Sequence, residues 1–162
     1  MIYLQIENGK VEAYGYVKPF PDKVVTPEEW EQAGCCAHIE DGKVVLGHSL
    51  EELKIIKREE VNRARDAKEQ GGFEYLGKMF DSDSISCQRI SCAAQAFSMA
   101  DDSATIVWTC QDNSTIELNK TQLLGLVVAL AQHSNACHEE ATELKKKIDA
   151  AQTVEELEAI FE

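Results

Sequence analysis

The stretch LLGLVVALAQHSNACHEEATELKKKIDAA, residues 123–151, decides how this chain folds. Within it Leu123, Val127, Leu130, Ser134, Cys137, Ala141, Leu144, Ile148 and Ala151 follow one another at steps of four and three without a slip. Those steps return to one side of an α-helix, so they predict a heptad seam on a single helix over about 120–151. Gly125 is its only interruption. At 1.5 Å per residue the helix would be roughly 48 Å long, more than one small core requires. Two readings follow. Either the seam packs on helices of the same chain near residues 50–70 and 85–99, or its C-terminal half pairs with a partner chain. In the second case Leu123, Val127, Leu130, Ala141, Leu144 and Ile148 form the partner or oligomer interface. The middle of the seam is small and weakly hydrophobic at Ser134, Cys137 and Ala141.

Working outward, Ser49-Leu50-Glu51-Glu52 has the form of a capping box and opens a helix that Gly71-Gly72 stops. Its charged face (Lys54, Lys57, Arg58, Glu59, Glu60, Arg63, Arg65, Asp66) reads as a solvated connector. Phe73–Leu76 and Lys78–Phe80 suggest two short strands or one bent ribbon. Asp81-Ser82-Asp83-Ser84 then caps a helix over about 85–99. Thr105–Cys110 and Ser114–Leu118, joined by Asp112-Asn113, read as a hairpin of β-branched residues with Trp108 in its first strand. Thr153-Val154-Glu155-Glu156 caps a short terminal helix.

The first 48 residues differ in character. Ile2, Leu4 and Ile6 alternate with polar residues, and Asn8-Gly9 is a strong hairpin signal before Val11 and Ala13. Pro19-Phe20-Pro21-Asp22 breaks regular structure, and Thr26-Pro27-Glu28-Glu29 starts a short helix that ends at Gly34. Asp41-Gly42 turns one further strand pair. The expected fold is therefore α+β: a β-rich unit over 1–48, a connector helix over 49–70, and a mostly helical domain with an inserted hairpin over 71–162.

The 162 residues carry 29 acidic and 16 basic side chains, a formal net charge of -13. Such a chain is repelled by phosphate backbones and anionic membranes, so neither nucleic acid nor a membrane is an expected partner. An acidic protein can still occupy a basic groove on another protein. No run approaches the roughly 18 apolar residues of a membrane span. The N-terminal residues lack the pattern of a secretory signal, and the six cysteines are expected as free thiols in a reducing cytoplasm.

Chemistry-bearing constellations are few. There is no phosphate-binding glycine loop, nucleophile elbow or metalloprotease helix. Cys35-Cys36 with His38 could hold a metal or a reactive thiol, but adjacent cysteines lack the Cys-x-x-Cys spacing. His133, Cys137 and His138 lie on the long helix, where Cys137 falls on the seam and reads as a packed thiol. Cys87 and Cys92, five apart, sit on different helical faces. Asp81, Asp83, Asp101 and Asp102 lack the glycine of a calcium loop. No catalytic residue, cofactor or metal is expected.

Residues 58–162 resemble a known type of domain. The pattern runs from the charged helix with Lys57-Arg58-Glu59-Glu60-Val61-Asn62, through Gly71-Gly72-Phe73 and Phe80-Asp81-Ser82-Asp83, to the strand with Trp108. It continues with Asn119-Lys120-Thr121-Gln122-Leu123 and closes on Ala150-Ala151-Gln152-Thr153-Val154-Glu155-Glu156-Leu157-Glu158-Ala159-Ile160. This is similar to a C-terminal domain of unknown function found in bacteriophage and prophage tail-fibre and tail-fibre-assembly proteins. The resemblance implies a non-enzymatic component or assembly chaperone of the tail, with a tail-fibre or other tail protein as partner. It also implies synthesis in the cytoplasm of a bacterial host, with the virion tail as a further location. Homo-oligomerisation through the long helix is an additional expectation. The alternative drawn from the charge is an acidic phage-encoded inhibitor of a host or defence protein.

Overall fold

A computed structural model describes residues 2–7, 10–15 and 23–162. The Asn8-Gly9 turn and the 19–22 break lie outside the described residues. The elements are β1 (Ile2–Glu7), β2 (Lys10–Gly15), β3 (Lys23–Val25), α1 (Pro27–Gln32), β4 (Ala37–Glu40), β5 (Lys43–Leu46) and α2 (Leu50–Glu69). They continue with β6 (Phe73–Tyr75), β7 (Lys78–Phe80), α3 (Ser84–Ser98), β8 (Thr105–Thr109), β9 (Thr115–Asn119), α4 (Lys120–Ala150) and α5 (Val154–Glu158). The fold is α+β, as the sequence predicts.

The chain divides into two compact units, one of residues 1–57 with 150–162 and one of residues 58–149. This differs from the expected partition at 48 and 70. Residues 58–69 of α2 fall in the later unit, and residues 150–162 fall in one unit with residues 1–57. Long-range pairing of residues 58–69 with α4, described below, accounts for the place of that segment in the later unit.

In the first unit, β1 pairs antiparallel with β2 on one side and β3 on the other, giving the order β2-β1-β3. The strand at Lys23–Val25 is an addition to the expected elements. Ile2, Leu4, Val25 and Trp30 form the buried centre, with Ala37, Val44 and Leu46 packed on it. Trp30 reaches it because α1 is started firmly: the Glu29 N–H donates to Thr26 Oγ1 at 3.1 Å, and the Thr26 N–H donates to Glu29 Oε2 at 2.8 Å. At the start of α2, Ser49 and Glu52 make the same reciprocal pair. At the other end of this unit, the Lys57 ammonium sits 4.9 Å from the centre of the Phe161 ring.

In the second unit, two antiparallel hairpins (β6–β7 and β8–β9) and α3 pack on the first half of α4. Along β8 and β9 the buried residues Trp108 and Leu118 lie on one face, while the flanking Val107, Thr109, Glu117 and Asn119 are exposed. The shared core is Phe73, Phe80, Ile90, Trp108, Cys110, Leu118, Leu123 and Leu126. Gly72 is where this core meets the end of α2. Its φ is +98°, and a side chain there would come within 2.9 Å of the Phe80 carbonyl oxygen, so only glycine fits without strain.

Gly125, the one break in the helical composition, has a packing cause. Tyr75 on β6 lies against it and donates its hydroxyl to the Gln122 carbonyl at 2.9 Å. A Cβ on residue 125 would stand 2.2 Å from Tyr75 Oη. Gly125→Ala would gain about 1 kcal/mol of helix preference but meet an overpacking cost of about 1–3 kcal/mol. The expected result in chemical denaturation is a net loss of about 1 kcal/mol, partly recovered when Tyr75→Phe is added.

Candidate functional site

The structure places the seam residues from Leu123 to Ile148 on the inward side of α4, and Ala151 just beyond its end. Leu123, Ala141 and Ile148 are buried, Val127 and Leu130 pack on the core, and Leu144 is half-buried against α2. Residues of α2 meet α4 in antiparallel order. Arg58 pairs with Asp149 at 2.5 Å, the Lys145 ammonium donates to Asn62 Oδ1 at 2.5 Å, and Lys68 pairs with Glu140. Cys137 and Ala141 line a small hollow with Val61, Ala64, Arg65 and Lys68 of α2, so the short side chains leave space between the two helices. Of the six residues expected as a partner interface, Leu123, Ala141 and Ile148 are buried and Leu144 is half-buried beside α2, while Val127 and Leu130 also line an open hollow on α4.

At the end of α2 a polar cluster forms around Glu69. His133 Nε2 lies 3.2 Å from both the Lys68 and Glu69 carbonyl oxygens. Carbonyls only accept, so Nε2 carries the proton, and the ring closes the last turn of α2 while stacking on Phe73 at 5.9 Å. Ser82 adds a second closure: its hydroxyl donates to the Glu69 carbonyl at 2.5 Å and accepts from the Gly72 N–H at 2.9 Å. The Glu69 carboxylate accepts from Ser134 Oγ at 2.5 Å and stands 3.4 Å from His138 Nε2. Cys137 Sγ is 3.9 Å from His133 Nε2, a nitrogen already committed as a donor. That pair therefore has no base with which to activate the thiol. The arrangement terminates a helix.

The other constellations resolve similarly. Cys36 Sγ donates to the Ala33 carbonyl at 2.9 Å, and His38 Nδ1 lies 2.8 Å from the Gly47 carbonyl. Burial, followed by the nearby Glu52 and Cys35, raises the Cys36 thiol above its usual pKa, so it is held as a neutral thiol. Burial likewise raises Cys87, whose Sγ donates to the Ser82 carbonyl at 3.3 Å, while Cys92 is exposed. Asp83 is the N-cap of α3, accepting from the Ile85 and Ser86 N–H groups and from Ser86 Oγ, and these bonds lower its carboxyl pKa. Asp102 pairs with Lys120 at 3.1 Å. Among the described residues, no three His, Cys, Asp or Glu side chains are grouped to hold a metal ion. None of the described helices is long and apolar enough to cross a membrane.

What α4 leaves open is its outer side. Leu124 is 43% exposed and Val128 56% exposed, and with Ala131 and Asn135 they repeat the four-three-four step one residue out of phase with the seam. Two hollows flank this stripe. One, of about 390 Å³, lies between α4, the start of α3 and the end of α2, and is lined by Val127, Leu130, Ala131 and Cys87 with Glu69 and Ser84 at its edge. The other, of about 470 Å³, runs along α4 past Val127, Val128, Ala131, Ala136 and Glu139. They share Val127 and Ala131, making one apolar trough that turns acidic toward its far end. The sequence carried a signal for it, since shifting the heptad frame by one residue selects Leu124, Val128, Ala131 and Asn135. The stronger inward frame masks it.

No curated protein and no solved structure matches the chain. A family model described as Domain of unknown function (DUF4376) matches residues 52–161, from the first turn of α2 to just beyond α5, leaving β1–β5 outside the match. Because the match covers more than half of the sequence, the chain belongs to that family.

Proposed function

We propose that this chain is a non-enzymatic, tail-associated phage protein, either a tail-fibre component or a fibre-assembly chaperone, that works by binding another tail protein. The observation that carries the reading is the resemblance over residues 58–162, most specific at Ala150–Ile160. The trough on α4 supports it as a surface free to receive a partner, whereas the His133–Glu69 cluster closes a helix. Quantitative mass spectrometry of purified particles, paired with affinity purification of the chain during particle assembly, tests it. A component is recovered with mature particles, and a chaperone only with fibre protein before completion. Absence of the chain from the particles together with absence of tail proteins from the affinity sample overturns the reading.

The net charge of -13 favours a second reading, an acidic inhibitor of a host or defence protein. Exposed charges are screened beyond about 10 Å at 0.1 M salt. This reading therefore requires a basic host protein as the captured partner and release as salt is raised.

A further inference from the structure

Resting on the reading of the chain as a protein-binding module, we infer that the α4 trough receives an amphipathic helix of the partner that bears lysine or arginine. The outer stripe is itself a helical seam: Leu124, Val128, Ala131 and Asn135 recur at four, three and four. A second helix laid along α4 meets such a stripe once per turn, with its apolar side chains entering the hollows on either side. The lining has direction. Val127, Val128, Leu130 and Ala131 make the near part apolar, and the carboxylates of Glu69 and Glu139 lie by Ser134 and Asn135 at the far part. No lysine or arginine lines either hollow. A complementary segment is apolar against Val127–Ala131 and carries its cations against Glu69 and Glu139. From Val127 to Glu139 the track is about 18 Å at 1.5 Å per residue, the length of about a dozen helical residues.

The same charges disfavour a parallel pairing with a second copy of this chain. A parallel pairing of two α4 outer faces would set Glu139 against Glu139, and the lining offers no cation for relief.

The test uses the full chain and a synthetic amphipathic leucine–lysine peptide of about 18 residues, long enough to follow α4 from Leu124 past Glu139. Its controls are a leucine–glutamate peptide of the same pattern and a scrambled leucine–lysine peptide of the same charge. Binding is followed by NMR shifts and by titration. The leucine–lysine helix is expected to shift Val127, Val128, Ala131 and Ala136, and the leucine–glutamate helix to leave them unmoved. Ala131→Arg, at an exposed position, is expected to weaken binding about tenfold or more with the thermal midpoint unchanged. Equal binding of the scrambled peptide overturns the inference, as does an unchanged affinity in Ala131→Arg. Shifts of these residues with protein concentration alone would assign the trough to a second copy and overturn it too. Failure here is distinct from failure of the tail assignment. If Ala131→Arg is recovered with tail proteins as well as the unaltered chain is, the trough falls and the tail reading stands. If the peptide seats in the trough but no tail protein is recovered, the reverse holds.

Discussion

Phe80→Ala is expected to cost the second unit about 3–5 kcal/mol, the range for deleting a large aromatic side chain from a core. Phe80 has no exposed surface. Its ring lies 5.9 Å from Phe73 and 6.1 Å from Tyr75, measured between ring centres, so the substitution removes burial and two aromatic contacts together. A domain of this size has only about 5–15 kcal/mol of total stability. The variant should therefore lose a large part of its resistance to urea. A midpoint within about 0.5 kcal/mol of the unaltered protein, the range of a surface substitution, would show that Phe80 is not in the core.

The second large effect separates two neighbouring leucines. Leu123 is fully buried, and Leu124 is 43% exposed on the next position of the same helix. Leu123→Ala is expected to cost about 2–5 kcal/mol, whereas Leu124→Ala is expected to change stability by about 0.5 kcal/mol or less. Helix preference changes equally in both, so the difference isolates the direction each side chain faces. Equal losses in thermal and urea unfolding would contradict the inward seam. A partner helix seated on the outer stripe would invert the ranking for binding, with Leu124→Ala weakening the peptide and leaving the fold intact.

Much of this architecture was legible because it is local. The capping hydroxyls at Thr26, Ser49 and Thr153 and the carboxylate at Asp83 fall where the residue types require them, and each starts a helix. The Asp112-Asn113 turn behaves likewise, with Asn113 at a φ of +62°. One turn breaks its own rule: Leu76 takes a φ of +51° at the β6–β7 turn, where asparagine would be usual. What stayed hidden depends on partners distant in sequence. Gly125 answers to Tyr75, and His133 answers to carbonyls at the end of α2. Periodicity found the seam but not its occupant, since a heptad looks the same whether the facing helix belongs to the same chain or another. Leu123, Ala141 and Ile148 of the candidate interface are buried, and the outer stripe was obscured because its apolar run ends at Ala131.

The inner seam of α4 is buried within the chain, and its outer stripe is the surface proposed for a partner. Cys137 reports on this directly, because it lies at the middle of the seam with 2% of its surface exposed. Alkylation with iodoacetamide, resolved peptide by peptide against exposed Cys35 and Cys92, measures its protection. The account predicts that Cys137 reacts far more slowly than those two, at a rate independent of protein concentration. A Cys137 rate that rises on dilution would show instead that the seam is closed by another molecule.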